Sequence, residues 1–288
     1  MSSRLRTNPE LKLLLSSNPD VFVYAESLVY SKSKHHSQNV LLGYDTFHLA
    51  AARNSCKRGI SVFYLKKHRF IMSKDRVSKN YDIIWAKLEN TKAKVVLCFF
   101  YAPGDNKTII DKAGFYDELR EGYKKYSDKY KVFFLGDSNA RLGFYSQDKG
   151  INGQYISNNN KSLFLGFLEY SGLTYLNTIY ANGKPTYEII DRKRSIIDVG
   201  LTNHILSVHT FEVLPNVLGV NPQTCHKVLK LTVDFEHENL DSQKMHYTGN
   251  LDIIVRSLCT KLGIGFPIEW ENLLISARMT PPYISTPF

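Results

Sequence analysis

The chain has 288 residues and a net charge of +10, from 37 Lys and Arg against 27 Asp and Glu. Apolar residues make up 43% of it and charged residues 22%, ordinary fractions for a protein with a packed core, which excludes wholesale disorder. We expect neither a membrane helix nor a secretory signal, because the longest apolar run, Val95 to Ala102, is far short of the about 20 residues that a membrane helix needs, and no apolar stretch follows Arg4 and Arg6.

Apolar patterning predicts strands mixed with helices as far as Phe235. Asn8-Pro9-Glu10 is typical of a helix start, because Asn8 can cap the helix and Pro9 suits its first position. The later elements are, in chain order, strands over Val21–Ala25, Ile60–Leu65, Ile83–Leu88 and Val95–Tyr101, a helix from Phe115 to about Asp128, a strand over Lys131–Leu135, a helix over Leu163–Tyr170, and strands over Thr174–Leu176, Thr186–Ile190, Ile196–Leu201 and Val228–Phe235.

The composition of the chain changes after Phe235. Residues 237–248 are polar, Leu251–Leu262 has the apolar spacing of an amphipathic helix, and the remainder is rich in proline. We therefore interpret residues 1–236 as one domain and residues 237–288 as an appended connector or linker segment.

The most specific string is Gly136-Asp137-Ser138-Asn139-Ala140-Arg141, which directly follows an apolar strand. Asp137 and Asn139 lie two residues apart on an extended segment and so point the same way. The carboxylate can orient or deprotonate a water, and the amide can donate a hydrogen bond to a phosphate. Gly136 leaves room for the close approach of backbone or ligand. The same residue types also favour a polar turn, so the string alone leaves both interpretations open.

Other strands also carry a polar residue at or near an end. Glu26 terminates its strand, where a carboxylate suits Mg²⁺, and Tyr101 can donate its hydroxyl to a phosphate oxygen. Asp198 lies in an apolar strand and must be paired; His226 is a natural partner, whose tautomer and protonated form the carboxylate would favour. Taken singly, Glu26 and His226 are more typical of a protein surface, and Tyr101 of a core.

Five strand ends thus carry, in order, Glu, Tyr, Asp-x-Asn, Asp and His. This order and spacing, over about residues 5–235, resembles the endonuclease/exonuclease/phosphatase superfamily and, within it, the endonuclease domain of non-LTR (LINE-type) retrotransposons. Besides the Gly136 string, the resemblance is carried by Asn18-Pro19-Asp20 with Glu26, Arg58-Gly59-Ile60-Ser61-Val62, Ile84-Trp85-Ala86-Lys87-Leu88, Tyr101-Ala102-Pro103, Leu176-Asn177, Pro185-Thr186-Tyr187 and Ser195-Ile196-Ile197-Asp198.

The resemblance implies an α/β fold, a DNase I-like four-layer sandwich in which two packed mixed β-sheets are flanked by helices. It also implies hydrolysis of phosphodiesters with a divalent metal, Mg²⁺ or else Mn²⁺. By resemblance, Glu26 ligates the metal and Asp137 activates the attacking water. Asn139 positions the phosphate and Tyr101 touches it. Neutralised charge beside a positioned water is what such a hydrolysis requires.

The same resemblance gives His226, held by Asp198, the task of stabilising the pentacovalent transition state. Two departures from the family pattern weaken this assignment. The family's final motif is Ser-Asp-His, whereas this chain has Thr224-Cys225-His226, and a neutral thiol is a poor ligand for a hard cation. The family's first strand, with its Asn, is missing ahead of the first helix. Because groups that act as a unit are strongly non-additive, a catalytically inactive nucleic-acid-binding remnant is the alternative.

A basic string, Asp191-Arg192-Lys193-Arg194, separates two predicted strands and is typical of a hairpin tip. In retrotransposon endonucleases the hairpin in this place helps to choose the target. Arg192, Lys193 and Arg194 would then hold phosphates or enter a minor groove, with Thr186 and Ser195 beside them. The default interpretation of such a charge run is a solvated turn.

The resemblance implies DNA as the partner and a nuclear location. Reverse transcriptase and other parts of a retroelement polyprotein are further expected partners, since residues 237–288 are similar to the connector that follows such endonucleases. The basic charge agrees with a polyanionic partner but is equally typical of a soluble basic protein. The four cysteines form no CxxC pair, which favours a reducing, intracellular setting. An abasic site, an RNA 3′ end, a phospholipid or an inositol phosphate stays open as another substrate.

Overall fold

The computed structural model describes residues 18–27, 43–52, 56–66, 71–89, 94–143, 155–189, 193–214, 226–235 and 249–257. The predicted helix after Asn8-Pro9-Glu10, together with Arg192 and Cys225, lies outside these ranges.

The described residues form strands and helices in a mixed order. The strands are β1 (Val21–Ala25), β2 (Tyr44–Leu49), β3 (Ile60–Leu65), β4 (Ile71–Val77), β5 (Asp82–Glu89), β6 (Lys94–Tyr101), β7 (Lys131–Asp137), β8 (Thr174–Tyr175), β9 (Tyr187–Ile189), β10 (Lys193–Ser195), β11 (Asp198–Thr202), β12 (Val208–Leu214), β13 (Val228–Phe235) and β14 (Gly249–Ser257). The α-helices are α1 (Ile109–Tyr126), α2 (Asn160–Ser171) and α3 (Leu176–Tyr180), and a 3₁₀ turn covers Ile205–Ser207. None of these helices is long and apolar enough to cross a bilayer.

Twelve of the strands form two six-stranded sheets. The first has the order β12-β13-β14-β1-β3-β2 and the second the order β4-β5-β6-β7-β11-β8, while β9 and β10 form a separate hairpin. Both sheets are mixed, because β1 and β14 pair in parallel in the first and β6 and β7 in the second, and the other pairs are antiparallel. The prediction of two mixed sheets is therefore confirmed.

One hydrophobic core fills the space between the two sheets, with Val21 of β1 and Leu97 of β6 among its buried members. A second core lies on the outer face of the second sheet, where Phe115 and Leu119 of α1 pack with Trp85. The four-residue spacing of these α1 residues predicts that helical face from sequence. The helix begins at Ile109, earlier than predicted. Its first turns are polar or exposed, so the apolar pattern on which the prediction depends starts only at Phe115.

Three strands that the sequence pattern does not predict lie at sheet edges: β2, β4 and β12. Met72 is the one buried residue of β4. In β12 a bulge between Val208 and Thr210 shifts the alternation of buried and exposed positions. Edge strands bury less surface than inner strands, so they lack the apolar run by which an inner strand is recognised.

The strand β14 corrects the prediction for the end of the chain. It pairs in parallel with every residue of β1 and antiparallel with every residue of β13, and its Ile253 is fully buried. The apolar spacing of Leu251–Leu262 suits a helix, but its first half is also a short apolar run that suits a buried strand. The predicted helix is wrong for residues 251–257, which belong to the first sheet rather than to an appended segment.

Gly136 allows the backbones of β6 and β7 to approach each other. A Cβ at this position would lie 2.8 Å from the carbonyl carbon of Phe100, the residue opposite it in the parallel pair. The close approach expected from sequence is thus made by backbone.

Gly136→Ala should lower the free energy of unfolding by about 1–3 kcal/mol, because the added methyl group overpacks a rigid ladder. For a chain of this size, each kcal/mol lowers the Tm by about 2–4 °C, which thermal unfolding measures. Gly166→Ala is the matched control, since its nearest neighbour outside the helix would be Arg120 at 3.6 Å. A Tm of Gly136→Ala equal to that of the control would contradict this account.

Candidate active site

Five segments of the chain bring a polar side chain to one end of the sandwich. Glu26 directly follows β1, Tyr101 and Asp137 end β6 and β7, Asp198 begins β11, and His226 lies two residues before β13. In the second sheet, Tyr101 is opposite Asp137, and Asp137 is opposite Asp198. The strand register thus places Tyr101, Asp137 and Asp198 in a row across the second sheet. Glu26 and His226 come from segments next to strands of the first sheet.

Asp198 and His226 form a buried pair. Nδ1 of His226 lies 2.9 Å from Oδ2 and 3.1 Å from Oδ1 of Asp198. Burial lowers the pKa of His226, but the negative charge and hydrogen bond of Asp198, followed by the charges of Asp137 and Glu26, outweigh burial and raise that pKa from 6.5 to about 10. His226 is therefore an imidazolium at neutral pH, with Nε2 at 4.0 Å from Oδ2 of Asp137.

Asp137 is buried beside the Nε2 of His226. Its Oδ1 accepts the backbone N–H of Asn139 at 2.7 Å. Burial and then the charge of Asp198 raise the pKa of Asp137 well above its ordinary value, and the charge of His226 opposes them. Additional positive charge beside Asp137 would therefore favour its ionised form.

Glu26 is a buried carboxylate with an unusual backbone. Its φ of 54° lies in the left-handed region, which few residues other than glycine adopt and which is costly to maintain. Its carboxylate accepts the hydroxyl of Tyr101, and that hydroxyl is also hydrogen-bonded to Asn139. Burial raises the pKa of both Glu26 and Tyr101, so the phenol remains a protonated donor at neutral pH.

Asn139 joins the loops around the site. Its φ is 47°, and its Nδ2 donates to the carbonyl of Ala102 at 2.6 Å. Its own carbonyl accepts Nδ2 of Asn158 at 2.7 Å and of Asn160 at 3.1 Å. The structure therefore gives the Asn139 side chain a structural partner, and its contact with phosphate stays a prediction.

Solved structures are similar to this chain in fold. The chain matches no protein-family model and no curated protein sequence. The solved endonuclease domain of TRAS1, a telomere-specific non-LTR retrotransposon, matches it with a TM-score of 0.51 and 16% identity over 73% of this chain and 95% of that one. The 3′ phosphatase NExo from Neisseria, bound to a product DNA hairpin, matches with a TM-score of 0.60 and 15% identity over 81% of this chain and 95% of the other. A structure of NExo described as a 3′-5′ exonuclease gives 0.58 and 14% over 78% and 93%.

The chain has the endonuclease/exonuclease/phosphatase fold. The DNase I-like α/β sandwich expected from the sequence is thereby confirmed.

Within this endonuclease/exonuclease/phosphatase fold, Thr186 and Asn177 hold the strand that carries Asp198. Oγ1 of Thr186 accepts the N–H groups of Ile197 at 3.0 Å and Asp198 at 2.9 Å. Nδ2 of Asn177 donates to the carbonyl of Asp198 at 3.0 Å, and its Oδ1 accepts the N–H of Gly200 at 3.0 Å. Leu176-Asn177 is one of the motifs that carry the resemblance, but the sequence assigns Asn177 no role, because a lone Asn after a strand has no distinctive pattern. The DNA contact expected of Thr186 stays a prediction, since its hydroxyl is buried.

The hairpin of β9 and β10 adjoins the site. Tyr187 is opposite Ser195 within the hairpin and also forms a bridge with His226, where the two rings meet edge to face at 4.9 Å. The hydroxyl of Ser195 is buried and has no hydrogen-bond partner among the described residues. The base of the hairpin therefore packs directly against the imidazole of His226.

Two basic residues of this hairpin lie in a strand. Lys193 and Arg194 belong to β10, whereas the sequence predicted them in the turn of the hairpin. Arg194 is exposed and forms an ion pair with Glu188, Nε to Oε1, at 2.7 Å. Glu188 also contacts Lys227 at 3.1 Å. Arg192 lies outside the described residues, and DNA binding by these cations stays a prediction.

The charges of the site favour a divalent cation. Glu26, Asp137 and Asp198 supply three buried carboxyl groups beside the imidazolium of His226. Burial raises the pKa of Glu26 and Asp137, so a bound cation would favour their ionised forms. Ligand atoms of Asp137, Asp198 and His226 all lie within 4.8 Å of one another. Because Asp198 engages Nδ1 of His226 and Asp137 is the expected proton acceptor, Glu26 is the carboxylate left to bind an ion, and carboxylate is the ligand type that Mg²⁺ prefers. The residues present therefore fit the metal.

Proposed function

We propose that this chain is a metal-dependent DNA endonuclease that nicks one strand by hydrolysing a phosphodiester, as the endonuclease part of a LINE-type retrotransposon. One observation supports this most strongly: three buried carboxylates and an imidazolium meet at one end of the sandwich. The solved neighbours agree with it, since one is a retrotransposon endonuclease domain and another holds product DNA.

Asp137 accepts the proton of the attacking water in this proposal. The N–H of Asn139 fixes Oδ1, so Oδ2 is the oxygen that receives the proton. Burial makes the ionised carboxylate a stronger base than an exposed one. Positive charge at the site then determines what fraction of Asp137 is ionised before the reaction.

Hydrogen bonding from a group that is held in place before the reaction stabilises the negative charge that develops on the phosphoryl oxygens. His226 presents Nε2–H as an imidazolium, because Asp198 holds Nδ1. Tyr101 lies in the same row of side chains, and its hydroxyl donates to Glu26. Donors of this kind stabilise the transition state without having to reorganise.

Glu26 would hold the Mg²⁺, or Mn²⁺, that this chemistry needs. A bound ion would supply neutralising charge for the phosphate oxygens and ease ionisation of a water. The burial of the Glu26 carboxylate supports this assignment.

Three further parts of the proposal concern binding and location. Arg192, Lys193 and Arg194 of the hairpin bind DNA phosphates, in agreement with the net charge of +10. The enzyme acts in the nucleus, together with a reverse transcriptase and other parts of a retroelement polyprotein.

Cys225, directly before His226, favours the alternative of an inactive remnant that binds nucleic acid.

Conversion of supercoiled plasmid to open circle tests the endonuclease proposal. The wild-type chain should nick in Mg²⁺, and a chelator should abolish nicking. Asp137→Ala should be slower by at least about a hundredfold, since a proton acceptor typically contributes that much or more. The matched control is Asp117→Asn, an exposed carboxylate on α1 that pairs with Arg120 and should leave the rate unchanged.

A folded wild-type chain that does not nick would refute the proposal. Salt-dependent DNA binding without hydrolysis would then identify the inactive remnant. Release of phosphate from a 3′ end, with no nicking of a closed circle, would instead indicate an activity on DNA ends.

A further inference from the structure

Asp82 is a fully buried carboxylate that the proposed mechanism does not use. It is the first residue of β5 and is 0% exposed. Its Oδ1 accepts the N–H of Gly59 at 3.0 Å, and its Oδ2 accepts the N–H of Arg58. Burial raises the pKa of Asp82 to about 7, although these two N–H groups and then the charge of Lys57 lower it. The carboxylate therefore holds the turn that leads into β3.

The turn that Asp82 holds is the one against which Glu26 is folded. The carbonyl of Gly59 accepts the N–H of Ser27 at 2.9 Å. A Cβ at Gly59 would lie 3.0 Å from Oγ of Ser27 and 3.1 Å from N of Ala51, and the φ of Gly59 is 92°, so this close packing favours glycine. Because Ser27 directly follows Glu26, a displaced turn would move the Glu26 carboxylate.

A second connection reaches Glu26 from the other sheet. Asp82 is opposite Tyr101 in the antiparallel pair of β5 and β6, and the hydroxyl of Tyr101 is hydrogen-bonded to Glu26. The side chain of Asp82 thus contacts the first sheet while its backbone belongs to the second. Both neighbours that position Glu26, the turn at Gly59 and the phenol of Tyr101, are attached to Asp82.

We infer that Asp82 is a positioning residue for Glu26: it fastens the Arg58–Gly59 turn of the first sheet to the second sheet and so places the Glu26 carboxylate for a divalent cation. The inference rests on the metal site of the proposed function. Asp82 acts through Glu26 and does not itself touch the cation. Removing a partner of this kind behind a metal ligand typically weakens metal binding about 10- to 100-fold.

Mn²⁺ binding to the full chain, with the free ion measured by electron paramagnetic resonance, tests the inference without relying on activity. Asp82→Ala should raise the Kd for Mn²⁺ at least about tenfold. Asp82→Asn should have a smaller effect, because its one carbonyl oxygen still accepts a backbone N–H. The matched control is Asp75→Ala in β4, a carboxylate that pairs with Lys87 and Lys125; it should lower the Tm and leave the Kd unchanged.

An unchanged Kd in a folded Asp82→Ala chain would overturn the inference. If that variant does not fold, Asp82→Asn decides: a raised Kd supports the positioning role and an unchanged Kd refutes it. Glu26→Gln separates this inference from the proposed function. Mn²⁺ binding that survives Glu26→Gln refutes the metal site itself, whereas binding that is weakened by Glu26→Gln but not by the Asp82 variants refutes only the role of Asp82.

Discussion

Replacing Asp198 with asparagine should lower the pKa of His226 below its wild-type value of about 10. The charge and hydrogen bond of Asp198 are the largest causes that raise this pKa against burial; without that charge, only Asp137 and Glu26 oppose burial. A larger fraction of His226 is then neutral at pH 8, and nicking should fall, because the charged donor to the phosphoryl group is lost in that fraction. A ¹⁵N NMR titration of the imidazole measures the pKa directly.

The same pair predicts how stability depends on pH. The pKa of His226 is higher in the folded than in the unfolded chain, so its stabilising contribution is complete below about pH 6.5 and is lost as the pH rises through about 10. The wild-type Tm should therefore decrease as the pH rises from about 6.5 to about 10, and the Tm of Asp198→Asn should decrease less over the same range. Asp117→Asn, which removes an exposed carboxylate, should keep the wild-type profile. A pKa of His226 that is unmoved by Asp198→Asn would show that Asp198 does not set its charge.

Truncating the chain after Thr248 should abolish the folded state. The truncation removes β14, which lies inside the first sheet and hydrogen-bonds to β1 on one side and β13 on the other. It leaves two unpaired strand edges and empties the place of Ile253 in the core between the sheets. The combined loss exceeds the about 5–15 kcal/mol by which a domain is typically stable. Circular dichroism during heating should show no cooperative transition.

A truncation after Ser257 is the control for this experiment, because it keeps β14 in full. It should retain a cooperative transition. A chain ending at Thr248 that still unfolds cooperatively, with nicking intact, would show that β14 is dispensable.

The inner strands other than β14 were the predictable part of the fold. Val21–Ala25 is a buried apolar run, and Val228–Phe235 has buried apolar residues at Val228, Leu229, Leu231 and Val233; the predicted bounds of both strands match the structure. The edge strand β4 was not predictable, since a strand that pairs on one side only can carry charged residues in place of an apolar run. For Leu251–Leu262, strand and helix share the same apolar positions, and only pairing with β1 and β13 decides between them.

The order of polar strand ends was enough to predict which residues meet. An Asp in an apolar strand must have a partner, and the structure pairs Asp198 with His226. Asp82 could not be predicted in this way, because its partners are the backbone N–H groups of Arg58 and Gly59, and those have no signature in the sequence. The inward direction of the Thr186 hydroxyl was equally hidden, since a threonine at a strand end is as often exposed.

The pairing of Val21 with Ile253 has a consequence for synthesis of the protein. A ribosome releases β1 long before β14, so the first sheet cannot close until nearly all of the described chain has emerged. Contacts between such distant parts of a chain form slowly, and the waiting edges of β1 and β13 are exposed to other chains in the meantime. A nascent chain that has not released β14 therefore cannot place Glu26 beside His226, and this cluster of side chains exists only once translation has passed Ser257.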